Sequence, residues 1–191
     1  MESIKFLTVK ERKELFDRIE NDTRRHAARN KAIFYLGKYC ALRASELSLL
    51  RLDEYDPINH TIVCHRLKSG RDNTLRIVDN NVVSSLQNYI DFYPVSEILF
   101  RSQQQQPISR KSLDLIMKQY CMGTSIPPEK QHFHVLRHTR AIEILEATGN
   151  VFDVQYWLGH RNIQNTMIYL QFTTKQHEHL YNSLKKMEVS K

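Results

Sequence analysis

Apolar residues recur at helical spacing through most of this 191-residue chain, and the pattern breaks most clearly at DPINHTIVCHRLKSGRDNTLRIVDN. There, β-branched residues gather in two short runs on either side of the turn-forming KSGRDN, which predicts a β-hairpin. Helix is predicted on both sides of it. A hairpin set among helices restricts the chain to a mostly α fold with a small antiparallel β-sheet, an α+β arrangement.

FLTVKERKELFDRIEN offers Thr8 as an N-cap with Glu11 three residues on, a capping box, then Leu15, Phe16 and Ile19 at helical spacing. Over 26–42 the apolar residues crowd so closely that the helix is expected to be buried around much of its girth. Further helices are predicted over 45–50, over VVSSLQNYIDFY, and from a Ser109 cap through Tyr120, with a short strand or extended segment at EILF and an exposed loop at RSQQQQP. Later helices are expected over about 135–147 and 151–158, each closed by a glycine, and over 163–187 with a break after Tyr169. No linker rich in Gly, Ser or Pro interrupts the chain, so residues 1–191 are expected to form one domain.

Lys and Arg outnumber Asp and Glu by 28 to 21, giving a net charge of +7, and the excess is clustered: Arg24, Arg25, Arg29 and Lys31, then Arg66, Lys68 and Arg71, then Arg137 and Arg140. Such clusters suit a polyanionic partner, nucleic acid first among them. Cys40, Cys64 and Cys121 are widely spaced and are expected to be buried thiols. No apolar run reaches the ~18 residues of a membrane span and no secretory leader is recognisable, so a cytoplasmic location without membrane contact is expected.

HFHVLRHT contains His132, His134 and His138 with Arg137 between the last two. His134 and His138 have the i, i+4 spacing of a zinc pair, but no carboxylate lies between them as in HExxH, which argues against a metal. His134 and Arg137 at a helix start instead share a face where unpaired backbone N–H groups add positive potential, a cradle for a phosphate. Arg43 stands at the mouth of an apolar region, where a guanidinium needs an anionic partner, and Glu46 is the nearest one. WLGHRNIQNTMIYL then supplies His160 and, nine residues on, Tyr169.

With ALRASELSLLRL around Arg43, HRLKSGRDNTLRI around Lys68, HFHVLRHT and WLGHRNIQNTMIYL, the chain resembles the tyrosine recombinases, the integrase family, from about residue 6 to about 170. The resemblance implies that Arg43 and Arg137 grip a scissile phosphate, with His134 and His160 beside it. It further implies that Lys68 protonates the leaving 5′-oxygen, that Glu46 supports the arginines from behind, and that Tyr169 is the nucleophile. Arg71 is the alternative should Lys68 be out of register. Physical chemistry requires such a set. A phenol with a pKa near 10 is only ~0.1% ionised at pH 7, a cost of about 4 kcal/mol, and nearby cations reduce it. A nearby base, with His134 the candidate, would take the phenol proton. No metal, nucleotide or other cofactor is called for by this chemistry.

Larger members of that family carry an amino-terminal core-binding domain ahead of the catalytic part with which this sequence opens, so the chain is expected to be either a short recombinase or a fragment of a longer one; HAARN, RASE and HRLKSG are closer to the short fimbrial phase-variation recombinases. The expected partner is double-stranded DNA bearing specific recombination sites, with self-association on it from dimer to tetramer and a DNA-bending accessory protein as a further partner. The amphipathic tail, a helix over about 173–187, is expected either to pass to a neighbouring protomer or to fold back on its own core. Two rivals remain at this point: a type IB topoisomerase-like strand relaxer, and a DNA-binding regulator with a vestigial site.

Overall fold

The computed structural model describes residues 4–68, 70–93 and 97–172, together with Tyr181 and Lys185. Thr8 caps the first helix, α1 (Val9–Glu20), with its side chain on the Glu11 amide at 3.3 Å, while the Glu11 carboxylate returns to the Thr8 amide at 2.7 Å. This is the expected capping box, and it satisfies two N–H groups that the helix itself cannot. α2 (Ala27–Tyr39) is buried around most of its girth, as its crowded apolar residues require, and even Arg29, Asn30 and Gly37 are covered. α3 (Ala44–Leu49) follows after a reversal at Ala41, whose φ is 51°.

β1 (Tyr55–Asp56), β2 (Thr61–Cys64) and β3 (Asn73–Arg76) form an antiparallel sheet in sequential order. In the predicted hairpin Ile62 faces Leu75 and Cys64 faces Asn73; the added third strand pairs Tyr55 with Ile62. Alternation sends Ile62, Cys64 and Leu75 into the core. Of the two readings of EILF, a strand or an extended segment, the structure has the second. Ile98 makes a single bridge to Arg51, and the chain at Leu52–Glu54 winds into a 3-10 turn, so no second extended pair is available to lengthen the ladder.

α4 (Asn80–Phe92) and α5 (Arg110–Cys121) are capped by Asp79 and Ser109. α6 (Val135–Thr148) and α7 (Val151–Leu158) end on Gly149 and Gly159, with φ of 66° and 64°, a conformation that costs any L residue with a Cβ. The long helix expected from 163 is shorter and breaks earlier: α8 covers Gln164–Met167, and Tyr169 stands between it and a 3-10 turn at Leu170–Phe172. Apart from Tyr181 and Lys185, the expected tail helix over 173–187, with its exchange between protomers, lies outside the described residues.

One hydrophobic cluster joins α1, α2, α4, α5 and the sheet. A second, formed by Ala41, Ala141, Ile142, Ile144, Leu145, Val154, Leu158 and Tyr169, lies between α6, α7 and the approach to α3. The three cysteines are buried free thiols. No described helix is long and apolar enough to cross a membrane. The sheet loop, the start of α3, the start of α6 and the end of α7 meet along the seam between the two clusters.

Candidate active site

Glu46 organises this seam. Its side chain is fully buried, a costly position for a carboxylate unless several donors meet it. It accepts the Arg43 amide at 2.9 Å, Arg43 Nη1 at 2.5 Å, the Leu67 amide at 3.2 Å and Arg66 Nη1 at 3.4 Å, with Arg137 Nη1 at 3.8 Å. Burial pushes its pKa up, but the Arg43 amide and the Arg137 and Arg43 charges outweigh this and hold it below the ordinary value. Three guanidiniums facing one carboxylate leave positive charge in excess.

Arg137, in the first turn of α6, is 2% exposed. Its Nη1 donates to the Ala41 carbonyl at 2.5 Å; its Nη2 donates to the Leu158 carbonyl at 3.0 Å and faces His160 Nε2 at 3.1 Å. Burial, with the Arg43 charge next, lowers its pKa to about 9, so it remains charged at neutral pH. His160 is lowered to about 4 by burial and by Arg137 and is therefore neutral. Its Nε2 faces an N–H donor and must be the acceptor, which puts the proton on Nδ1, within 3.0 Å of Thr166 Oγ1. The ring thus ties α8 to the arginine.

Arg66 was not singled out by the sequence beyond its membership of a basic cluster, yet its side chain is fully buried. It donates to Asn73 Oδ1 at 3.0 Å, the Cys40 carbonyl at 3.0 Å and the Trp157 carbonyl at 2.7 Å, in addition to Glu46. Its stem lies against Gly159, where a Cβ would come within 2.6 Å of Arg66 Cγ. Apart from that cluster, its one sequence signal was its place two residues ahead of Lys68.

Lys68 sits on the turn that follows β2, with φ 57°. It lines a cavity of about 450 Å³ with Arg43, Ala44, Ser45, Arg110, Asp114, His132 and His134. Arg71 is not part of that lining; its amide donates to the Gly159 carbonyl at 2.9 Å. His134 stands at the N-cap of α6, as expected, and burial, then His138, Arg137 and Arg43, lower its pKa to about 3.

Tyr169 is 2% exposed and its hydroxyl lies 2.9 Å from His138 Nδ1. Burial raises its pKa to about 12, against the pull of the Arg137 and Arg43 charges. The ring that meets the phenol is therefore His138, which the sequence presented only as a zinc partner for His134; the two imidazoles are edge to face at 4.7 Å. Among the described residues no group of three or more His, Cys, Asp and Glu side chains is close enough to hold a metal. Arg43, Glu46, Arg137 and His160 thus form one connected network, Lys68 and His134 share a cavity with Arg43, and Tyr169 lies within electrostatic reach of two guanidiniums. Such an array can hold an anionic phosphate between fixed donors, with a phenol and an ammonium group nearby.

Residues 5–176 match the family described as Phage integrase family. "Type 1 fimbriae regulatory protein FimB" of Escherichia coli (strain K12) is 33% identical over 149 residues, covering 75% of this chain and 74% of that protein. A protein named tyrosine recombinase from Agathobacter rectalis is 32% identical over 169 residues, 85% of this chain and 54% of its own length. In fold, the chain is similar to the XerH site-specific recombinase bound to palindromic difH substrate in a post-cleavage complex, with a TM-score of 0.78 at 20% identity, over 96% of this chain and 54% of XerH. The chain spans about half the length of the last two.

Proposed function

Because the chain belongs to the phage integrase family, we propose that it is a tyrosine site-specific DNA recombinase, which cuts and rejoins strands through a 3′-phosphotyrosyl link. The observation that carries this is the pair of guanidiniums, Arg43 and Arg137, fixed on buried Glu46 with the Tyr169 hydroxyl under the influence of both charges.

In this reading Arg43 and Arg137 hold the non-bridging oxygens of the scissile phosphate, and His160 and His134 flank it. Arg137 is already held by two carbonyls, so it needs little reorganisation as charge builds on the phosphate. Tyr169 attacks phosphorus in line, and Lys68 gives a proton to the departing 5′-oxygen, which would otherwise leave as an alkoxide. Glu46 contacts no substrate; it fixes the arginines. The bond energy stays in the phosphotyrosyl link, so rejoining needs no nucleotide. The substrate is a duplex carrying specific recombination sites, on which copies of the protein assemble from dimer to tetramer, aided by a DNA-bending accessory protein, in the cytoplasm at the nucleoid. Inversion, excision and integration all follow from the same chemistry.

A suicide substrate nicked beside the cleavage point should trap a covalent protein–DNA adduct, and Tyr169→Phe should form none while keeping its DNA affinity. An adduct in the mutant would remove Tyr169 from the role. Wild-type binding without any adduct would favour a regulator, and relaxation of supercoils without exchange between two sites would favour a topoisomerase.

A further inference from the structure

Attack by Tyr169 requires a destination for the phenol proton, and the group at hydrogen-bond distance from that hydroxyl is His138 Nδ1, at 2.9 Å. We propose that His138 is a catalytic residue whose Nδ1 takes this proton as the phenolic oxygen bonds to phosphorus. The inference rests on the recombinase reading above and adds to it a residue to which the family resemblance assigns no role.

His138 lies one helical turn beyond His134 on α6, and its ring meets the Tyr169 ring at 50° with centroids 5.8 Å apart. The titratable and charged groups that face it are Arg137 on the same helix, His132 and His134 from the segment entering α6, and Tyr169 from beyond α8. Burial, then Arg137 and His132, hold its pKa at about 4, so the ring is neutral at physiological pH and keeps a lone pair for the phenol. At rest the proton belongs to Tyr169, whose pKa is about 12. A weak base is nevertheless sufficient, because an oxygen already bonding to phosphorus gives up its proton far more readily than a free phenol. Transfer is therefore late.

The step balances. The Tyr169 Oη–H bond breaks as Nδ1–H forms on His138, the Oη–P bond forms as P–O5′ breaks, and the departing oxygen takes its proton from Lys68. Rejoining reverses each transfer.

Single-turnover cleavage of the nicked suicide substrate, followed from about pH 5.5 to about pH 9, tests this. Wild type should be nearly flat. His138→Ala should cleave roughly 10²-fold or more slowly at neutral pH. Its rate should climb about tenfold per pH unit as hydroxide replaces the base, and added imidazole should restore cleavage in proportion to its concentration. His138→Gln keeps the bulk and should show the same slope without imidazole rescue, which decides the matter if the alanine variant does not fold. Variants that lose rate equally at every pH, with no rescue, would make His138 a packing residue and overturn the proposal alone. A wild-type protein that forms no adduct would overturn the recombinase reading and this inference together.

Discussion

Glu46 and Arg66, twenty residues apart in the chain, meet at 3.4 Å with both side chains fully buried. Arg66 in turn reaches across to the carbonyls of Cys40 and Trp157, so one ion pair links the start of α3, the sheet loop and the end of α7. That link holds together the three segments that carry Arg43, Lys68 and the approach to His160.

Replacing Glu46 by Gln should therefore destabilise the fold by about 3–5 kcal/mol, the usual cost of leaving buried cations without their partner. Urea unfolding at neutral pH measures it, and cleavage should fall in parallel because Arg43 and Arg137 lose their anchor. The wild-type advantage depends on pH. The Glu46 carboxyl is depressed in the folded state, so its contribution is complete above the ordinary value of 4.5 and is lost as pH falls through the folded pKa. The two proteins should converge in stability in acid; a constant gap would contradict the ionised assignment.

Arg43→Lys should cleave almost as poorly as Arg43→Ala. Arg43 divides its donors between Glu46, beneath it, and the cavity in front, and a single ammonium cannot occupy both directions. Single-turnover rates of the two variants make the comparison, and near-normal cleavage by the lysine variant would reject a two-pronged phosphate contact.

At Gly159, a Cβ would approach the Arg71 carbonyl to 2.5 Å and Arg66 Cγ to 2.6 Å, at a φ of 64°. Gly159→Ala should cost roughly 2–4 kcal/mol from left-handed strain and overpacking together. Thermal melting reports the loss of stability. Cleavage measured well below the melting temperature should also fall, because the displaced loop is the one that carries Lys68.

His134, His138 and His160 are held at about 3, 4 and 4, far below the 6.5 of an unfolded chain, in each case chiefly by burial. The unfolded chain binds protons that the folded one refuses, so stability rises with pH through this range: their contribution is complete above about pH 6.5 and is lost as pH falls toward 4. At pH 5 unfolding should be accompanied by the binding of roughly three protons to these rings. Urea midpoints that fall between pH 7 and pH 5 are expected; unchanged midpoints would mean that the rings are exposed and protonated in the folded protein.

What the sequence disclosed was chemistry with short reach. Thr8 with Glu11, Ser109, Gly149 and Gly159 act on backbone a few residues away, and the helices they bound were legible for that reason. β1 was not, since two residues have no period, and the apolar EILF found only one bridging partner. The residues expected to hold phosphate were identifiable by type and order, and the structure brings them to one seam. Arg66 and His138 were not separable from their neighbours, because what distinguishes them is a partner far along the chain: the Trp157 carbonyl in one case, the Tyr169 hydroxyl in the other.

Tyr169 is also a wall of the second core cluster. The ring and its hydroxyl thus answer to different demands, one to packing and the other, in the proposed function, to attack on phosphorus. A descendant that had given up cutting DNA would still be pressed to keep an aromatic side chain here, so an intact ring at this position is poor testimony of activity among related chains. The informative difference is a single oxygen, tyrosine against phenylalanine.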